Sequence, residues 1–147
     1  MGITIEAFHK ECGKGQFEMP IRFSNVQKMV EDYYVTKMII KKHFASRGIV
    51  VSYLPKPAAD IGIGAHAHFS LWNDKGENCS GDPATKHKFS AIFESFNAGI
   101  LKHLPALFQF FSSHPNSLRR FGDGTFTGNY LCWGFDNKET PLRGIAP

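Results

Sequence analysis

Glu6, His9, Glu11, Glu18, His66 and His68 are the side chains of this sequence best suited to hold a cation. Mg²⁺ and Mn²⁺ favour carboxylate oxygen, and Mn²⁺ also accepts an imidazole, whereas zinc sites more often recruit cysteine or a tighter histidine cluster. Lys56, Arg120, Lys138 and Arg143 stand in loops bounded by proline or asparagine, where fixed positive charge can serve phosphate groups. Each signal alone is weak. A lone glutamate on a strand is ordinarily a solvated surface group, an HxH pair also occurs in plain sheets, and scattered lysines make a solvated face. His43, His87, His103 and His114 read most simply as surface or capping histidines.

The elements that must position these groups follow from the residue pattern. If residues 62–71 run as a strand, His66, His68 and Ser70 share one face while Ala65, Ala67, Phe69 and Leu71 share the apolar one,. An imidazole-bearing polar face opposite a packed one is expected to line a cavity. Gly62 and Gly64, just upstream, permit a sharp turn or the close approach of a ligand,. Residues 2–9 alternate as a strand, Gly13 and Gly15 mark a turn, and residues 16–23 resume extended structure,. His9 and Glu11 then share a face, as do Gln16 and Glu18, so the carboxylates of Glu11 and Glu18 can meet across a hairpin-like turn.

Ser24-Asn25 caps a helix expected to run to about Arg47, with Gly48 as its stop and Val26, Met29, Val30, Tyr33, Ile40 and Phe44 as its apolar stripe,. Lys37 falls on that stripe, either as a snorkelling stem or as a salt-bridge partner of a site carboxylate. Residues 49–54 read as a short buried strand closed by Pro55-Lys56-Pro57, residues 73–76 as a tight turn and 77–88 as loop,. A second helix spans 89–103 with Ile92, Phe93, Phe96, Ile100 and Leu101 as its core face, and Pro105 implies a kink or restart before residues 104–111,. Beyond Ser112 the chain is rich in glycine, proline and asparagine, with an extended aromatic segment at 129–135.

Composition narrows the function classes. A chain of 147 residues, 42% hydrophobic and 20% charged, is expected to form one ordinary globular domain, and fourteen phenylalanines suggest a large aromatic core or an assembly surface,. The net charge of +4 is modest and lysine and arginine are scattered, which argues against a nucleic-acid partner,. Cys12, Cys79 and Cys132 form neither a CxxC pair nor a disulfide framework, which fits a reducing compartment. The N-terminus has no basic-then-apolar signal and no apolar run approaches about 18 residues, so no membrane is expected and a cytoplasmic protein is the default.

Four ordered motifs carry a more specific reading. Glu6-x-x-His9-x-Glu11-x-Gly13-x-Gly15-Gln16-x-Glu18 resembles the type I glutamine synthetase signature ExxHxExGPGQxE, with Lys14 in place of proline. Lys56-Pro57 followed by Gly62-x-Gly64-x-His66-x-His68-x-Ser70-Leu71 is similar to that family's KP…GSGMHxHxSL segment, with Ile61 where many members place a polar residue. Asn116-Ser117-Leu118-Arg119-Arg120 is similar to its NSYKR, and Asn137-Lys138 through Arg143 to its NRxxxxR.

The resemblance implies an ATP-dependent glutamate–ammonia or glutamate–amine ligase that works through γ-glutamyl phosphate with Mg²⁺ or Mn²⁺. Its partners would be glutamate, ATP and ammonia or an amine, and its full-length form a homo-oligomeric ring. It implies that Glu11 and Glu18 hold one metal and His66 the other, and that Glu6, His68 and Ser70 lie beside the nucleotide. Gly62 would lie near the amino-acid substrate. Arg120 would hold the substrate carboxylate, and Lys138 and Arg143 would serve the phosphates. The implied fold is α+β, with antiparallel strands forming part of a barrel or funnel and helices packed outside.

Residues 1–147 would be the central segment of a catalytic domain, without the small β-grasp domain and without the flanking ExE and RxExR segments that complete the family's metal sites. Two departures bear on activity. Phe126 stands where the family has the glutamate that attracts ammonium and accepts its proton, with Asp123 a nearby substitute,. Lys138 replaces an arginine, keeping the charge without its planar fork. The tail around residues 127–134 resembles the nodulin and fungal developmental branch of the family, and a catalytically dead relative with an assembly or signalling role is the alternative reading.

Overall fold

The computed structural model describes residues 2–59, 61–122 and 125–145. The fold is α+β, and contacts divide the chain into two compact units, Met1–Ile63 and Gly64–Pro147.

The first unit opens with an antiparallel hairpin, β1 (His9–Lys10) against β2 (Phe17–Glu18), in the register His9↔Glu18 and Lys10↔Phe17. The arms extend further as an irregular ladder. Glu11 N–H bonds the Gln16 carbonyl, Glu6 N–H the Pro20 carbonyl and Arg22 N–H the Thr4 carbonyl, each at 2.9 Å, with an Ile5↔Ile21 bridge between them. From His9 back to Ile5 is four steps, while Glu18 to Ile21 is three. The first arm therefore carries one extra residue, a bulge that breaks the continuous alternation expected over residues 2–9. Pro20, which has no N–H to donate, also limits the ladder.

α1 (Val26–Ala45) starts where Asn25 accepts a bond from Lys28 N–H, and Gly48 follows its end at φ +72°,. The inward face differs from the expected stripe. Asp32 and Thr36 are its buried residues, while Val26 and Val30 are 74% and 52% exposed. The cause is an i,i+4 pair: Lys28 Nζ donates to both Asp32 oxygens at 2.8 and 2.7 Å, which satisfies the carboxylate and lets it turn inward,. Lys37 takes neither expected role alone. Its ammonium lies 4.8 Å from the ring centroids of both Tyr33 and Tyr53, a cation–π clamp,. The buried strand expected at 49–54 is absent. Those residues join no ladder, and Val50 is 93% exposed.

In the second unit, residues 64–71 have no regular secondary structure and likewise pair with no strand, and 64–70 are exposed throughout. The strand expected there is a correction: alternation in the sequence marks a candidate strand, and no neighbouring strand pairs with this segment to hold it as one,. Phe69 nevertheless meets the edge of Phe96 at 6.0 Å. Asn73 nucleates the expected turn, its side-chain oxygen accepting from Lys75 and Glu77 N–H, and Gly76 lies at φ +76°.

α2 (Ala91–Phe111) is capped by Ser90 and runs unbroken through Pro105, so the proline costs one rung rather than a restart,. Ile92, expected on its core face, is 61% exposed. A 3-10 helix of six residues, Pro115–Arg120, follows. β3 (Trp133–Phe135) and β4 (Leu142–Gly144) pair in parallel, not antiparallel as expected, in the register Trp133↔Leu142 through Phe135↔Gly144. Asp136 at φ +50° and its N–H bond to the Gly144 carbonyl make so short a parallel connection possible. Phe89 is the buried apolar side chain among the described residues, touching Phe93 and Phe135.

Candidate functional site

In the first unit the hairpin turn gathers the acidic groups. Gln16 N–H bonds the Gly13 carbonyl, and the Gln16 side-chain oxygen accepts the Gly13 N–H at 2.8 Å. A Cβ on Gly13 would lie 2.6 Å from that oxygen, so glycine makes room for the amide, and Gly15 supplies the left-handed step at φ +68°,. The other end of the same amide reaches out of the hairpin, Gln16 Nε2 donating to the Gly62 carbonyl at 3.4 Å. Gly62 is thereby tied to the turn.

This frame brings His9, Glu11 and Glu18 together, with one ligand atom from each lying within 4.8 Å of the others. His9 Nε2 is 3.9 Å from Glu18 Oε2. The Cys12 backbone N–H donates to Glu11 Oε2 at 2.9 Å and is the main cause holding the Glu11 carboxyl below its usual value. A hydrogen bond with Glu18 acts in the same direction and outweighs the opposing effect of burial, and the charge of His9 adds a smaller lowering. Two carboxylates and one imidazole nitrogen suit Mg²⁺ or Mn²⁺. Glu6 is exposed on the arm beyond the bulge.

His66, His68 and Ser70, in the second unit, are exposed. The His66 ring folds back so that a Cβ on Gly64 would lie 3.0 Å from its Nε2. The Trp72 indole N–H donates to Ser70 Oγ at 2.9 Å, leaving the hydroxyl hydrogen available,.

Arg120 closes the 3-10 turn. Its Nη2 reaches Thr127 Oγ1 at 3.4 Å, its Nε is buried without a hydrogen-bond partner, and burial lowers its pKa from the usual arginine value. A half-buried guanidinium with an orphaned donor suits an incoming carboxylate. Lys138 is exposed on the connection between β3 and β4, and Arg143 is half-buried on β4.

Phe126 adopts φ +53° with its ring 53% exposed, and its N–H is taken by Glu139 Oε1 at 3.1 Å. Asp123 lies outside the described residues. Sequence reasoning assigned no role to Gln16 or Glu139. Gln16 belongs to the first motif and its spacing from Gly13 signals the turn. Nothing local links Glu139 to a residue thirteen positions earlier.

The hairpin of this α+β chain thus gathers two carboxylates and an imidazole, a donor set that suits a divalent cation,. The sequence matches the family "Glutamine synthetase, catalytic domain" over residues 1–147, and the chain belongs to that family. It is 32% identical over 143 residues to type-1 glutamine synthetase 1 of Dictyostelium discoideum, covering 97% of this chain and 29% of that protein. It is 35% identical over 145 residues to the glutamine synthetase of Sulfolobus acidocaldarius, covering 97% and 31%. It is 32% identical over 146 residues to a gamma-glutamylpolyamine synthetase of Streptomyces coelicolor, covering 99% and 31%. The fold is similar to the cryo-EM structure of Plasmodium falciparum glutamine synthetase, with a TM-score of 0.88 and 27% identity over 95% of this chain and 27% of that one. The chain thus spans about a third or less of these relatives' lengths. No helix among the described residues is long and apolar enough to cross a membrane.

Proposed function

We propose that the chain is a core segment of an ATP-dependent ligase that joins glutamate to ammonia or an amine. The observation that carries this reading is the hairpin, where Glu11 and Glu18 converge with His9 within 4.8 Å in a chain of the glutamine synthetase catalytic-domain family. In this reading Glu11 and Glu18 hold one Mg²⁺ or Mn²⁺ and His66 contributes to a second. Bound cations would supply charge neutralisation on the phosphoryl group in transfer.

Glu6, His68 and Ser70 flank the nucleotide, the Gly62 backbone lies beside the amino-acid substrate, Arg120 pairs with the substrate carboxylate, and Lys138 and Arg143 attract the phosphates. The γ-carboxylate oxygen of glutamate attacks the γ-phosphorus of ATP and ADP leaves. The amine nitrogen then attacks the acyl carbon, phosphate leaves and the nitrogen loses a proton. The partial barrel, the ring assembly, the cytoplasmic setting and kinship with the nodulin and fungal branch belong to the same reading.

Titration of Mn²⁺ by calorimetry checks the metal assignment. Wild type should bind at least about tenfold more tightly than Glu18→Ala, the scale on which support of a metal site is felt, and equal affinities would sink it.

A second reading, a relative that keeps the fold without the chemistry, is favoured by Phe126. An exposed ring can neither attract ammonium nor accept its proton. Hydroxamate formation from glutamate, ATP and hydroxylamine by the protein carrying this segment decides between the two. Robust product ends the second reading, and its absence with metal binding intact ends the first.

A further inference from the structure

We infer that Glu139 and Phe126 form the subsite for the amine, and that this amine is an organic primary ammonium group rather than ammonium itself. The inference rests on the ligase reading given above and adds two residues and a substrate class to it.

The two residues lie thirteen positions apart and are joined by one bond, Phe126 N–H donating to Glu139 Oε1 at 3.1 Å. Both ends of that bond are prepared. Glu139 stands on the connection between β3 and β4, where its own N–H donates to Asn137 Oδ1 at 2.9 Å. Thr140 Oγ1 lies 2.9 and 3.0 Å from the Asn137 and Leu142 carbonyls, which closes the same turn. A Cβ on Gly134 would lie 2.7 Å from Asn137 Cβ, so the turn is seated tightly against β3. Phe126 adopts φ +53°, a conformation that is costly for a bulky residue and persists only where its surroundings hold it,. The Glu139 carboxylate is such a hold.

The bond engages one oxygen only. Glu139 is exposed, so Oε2 keeps its lone pairs for an incoming N–H. The Phe126 ring begins three bonds from the nitrogen that holds the carboxylate, and it is 53% exposed. A carboxylate oxygen and an aromatic ring presented together suit an alkylammonium group at both ends. Its N–H groups meet the oxygen, and its methylenes carry apolar surface and positive charge onto the ring. Ammonium has no carbon and fills the first half alone. The place fits the reaction as well. Thr127 follows Phe126 directly and its Oγ1 accepts from Arg120 Nη2 at 3.4 Å, so the subsite adjoins the guanidinium that pairs with the substrate carboxylate in the ligase reading. Phe126 removes a carboxylate from its own position, and Glu139 returns one to the same loop.

The test uses butylammonium chloride and ammonium chloride with the 147-residue chain. Saturation transfer from the protein to the butyl protons gives the affinity, ammonium serves as competitor, and circular dichroism verifies the folding of each variant. Glu139→Gln keeps a side-chain oxygen for the Phe126 N–H and removes the charge. A residue that only fastened the loop would therefore leave butylammonium binding unchanged in that variant.

Butylammonium should bind about fivefold more weakly to Glu139→Gln than to wild type, the upper scale of an exposed ion pair. Phe126→Leu should lose about threefold of the preference for butylammonium over ammonium. Equal butylammonium affinity in wild type and Glu139→Gln, or ammonium competing as well as butylammonium itself in wild type, overturns the inference. Hydroxamate formation by the protein carrying this segment separates the two readings. Product formed beside wild-type amine binding in Glu139→Gln overturns the role of Glu139 and keeps the ligase. No product overturns the ligase reading, and the amine's place as a substrate falls with it.

Discussion

The charge state of the hairpin turns on one backbone donor. Cys12 N–H on Glu11 Oε2 holds that carboxyl below the ordinary 4.5, so its folded pKa lies under its unfolded one. The stability this contributes is fully present above the unfolded value and is lost as pH falls through the folded one. In a ¹³C titration of side-chain carboxyls, Glu11 should therefore reach its midpoint below 4.5, and a midpoint at or above that value would contradict the Cys12 bond. Glu11 and Glu18 were legible in the sequence because a turn of two glycines is local, and strand parity on either side of it fixes which side chains meet. His9 was legible as a donor type, but its place beside Glu18 required the register. The polar face assigned to His66, His68 and Ser70 was not legible as cavity lining, because alternation describes a strand only when something pairs with it.

Elements were legible in proportion to how locally they are specified. Both long helices were legible, the first from its cap at Asn25 and the second from its apolar face, while the Ser90 cap that accepts from Phe93 N–H is a finding of the structure. The face α1 turns inward was not, because the Lys28–Asp32 pair allows a carboxylate to lie where an aliphatic residue was expected. The parallel pair β3–β4 was hidden as well, since two three-residue strands joined by a short turn read as loop. Its packing carries a sharp prediction. A Cβ on Gly144 would lie 2.8 Å from two atoms of the Phe89 ring, the buried apolar group of this unit. Gly144→Ala should lower unfolding free energy by about 1–3 kcal/mol, the cost of overpacking, seen as a shifted urea midpoint. An unchanged midpoint would mean that β4 does not press on Phe89.

At the scale of the whole chain, fourteen phenylalanines suggested a large aromatic core or an assembly surface, and the 77%, 67% and 66% exposure of Phe110, Phe111 and Phe23 tells against the first alternative. A count of apolar residues measures what is available for burial, not the partners that would do the burying. Apolar surface on this scale should bind anilinonaphthalene sulfonate at neutral pH, with raised and blue-shifted emission. Emission like that of free dye would show that the surface is covered in solution.

The amide of Gln16 joins positions 46 residues apart, from the turn beneath the carboxylates to the Gly62 carbonyl. Its two protons are therefore a built-in gauge. When the tie is made, one of them is shielded from exchange with water and the other is not. The difference in their hydrogen–deuterium exchange, read at a single labelled carboxamide, follows the joining and parting of these two segments without any added probe.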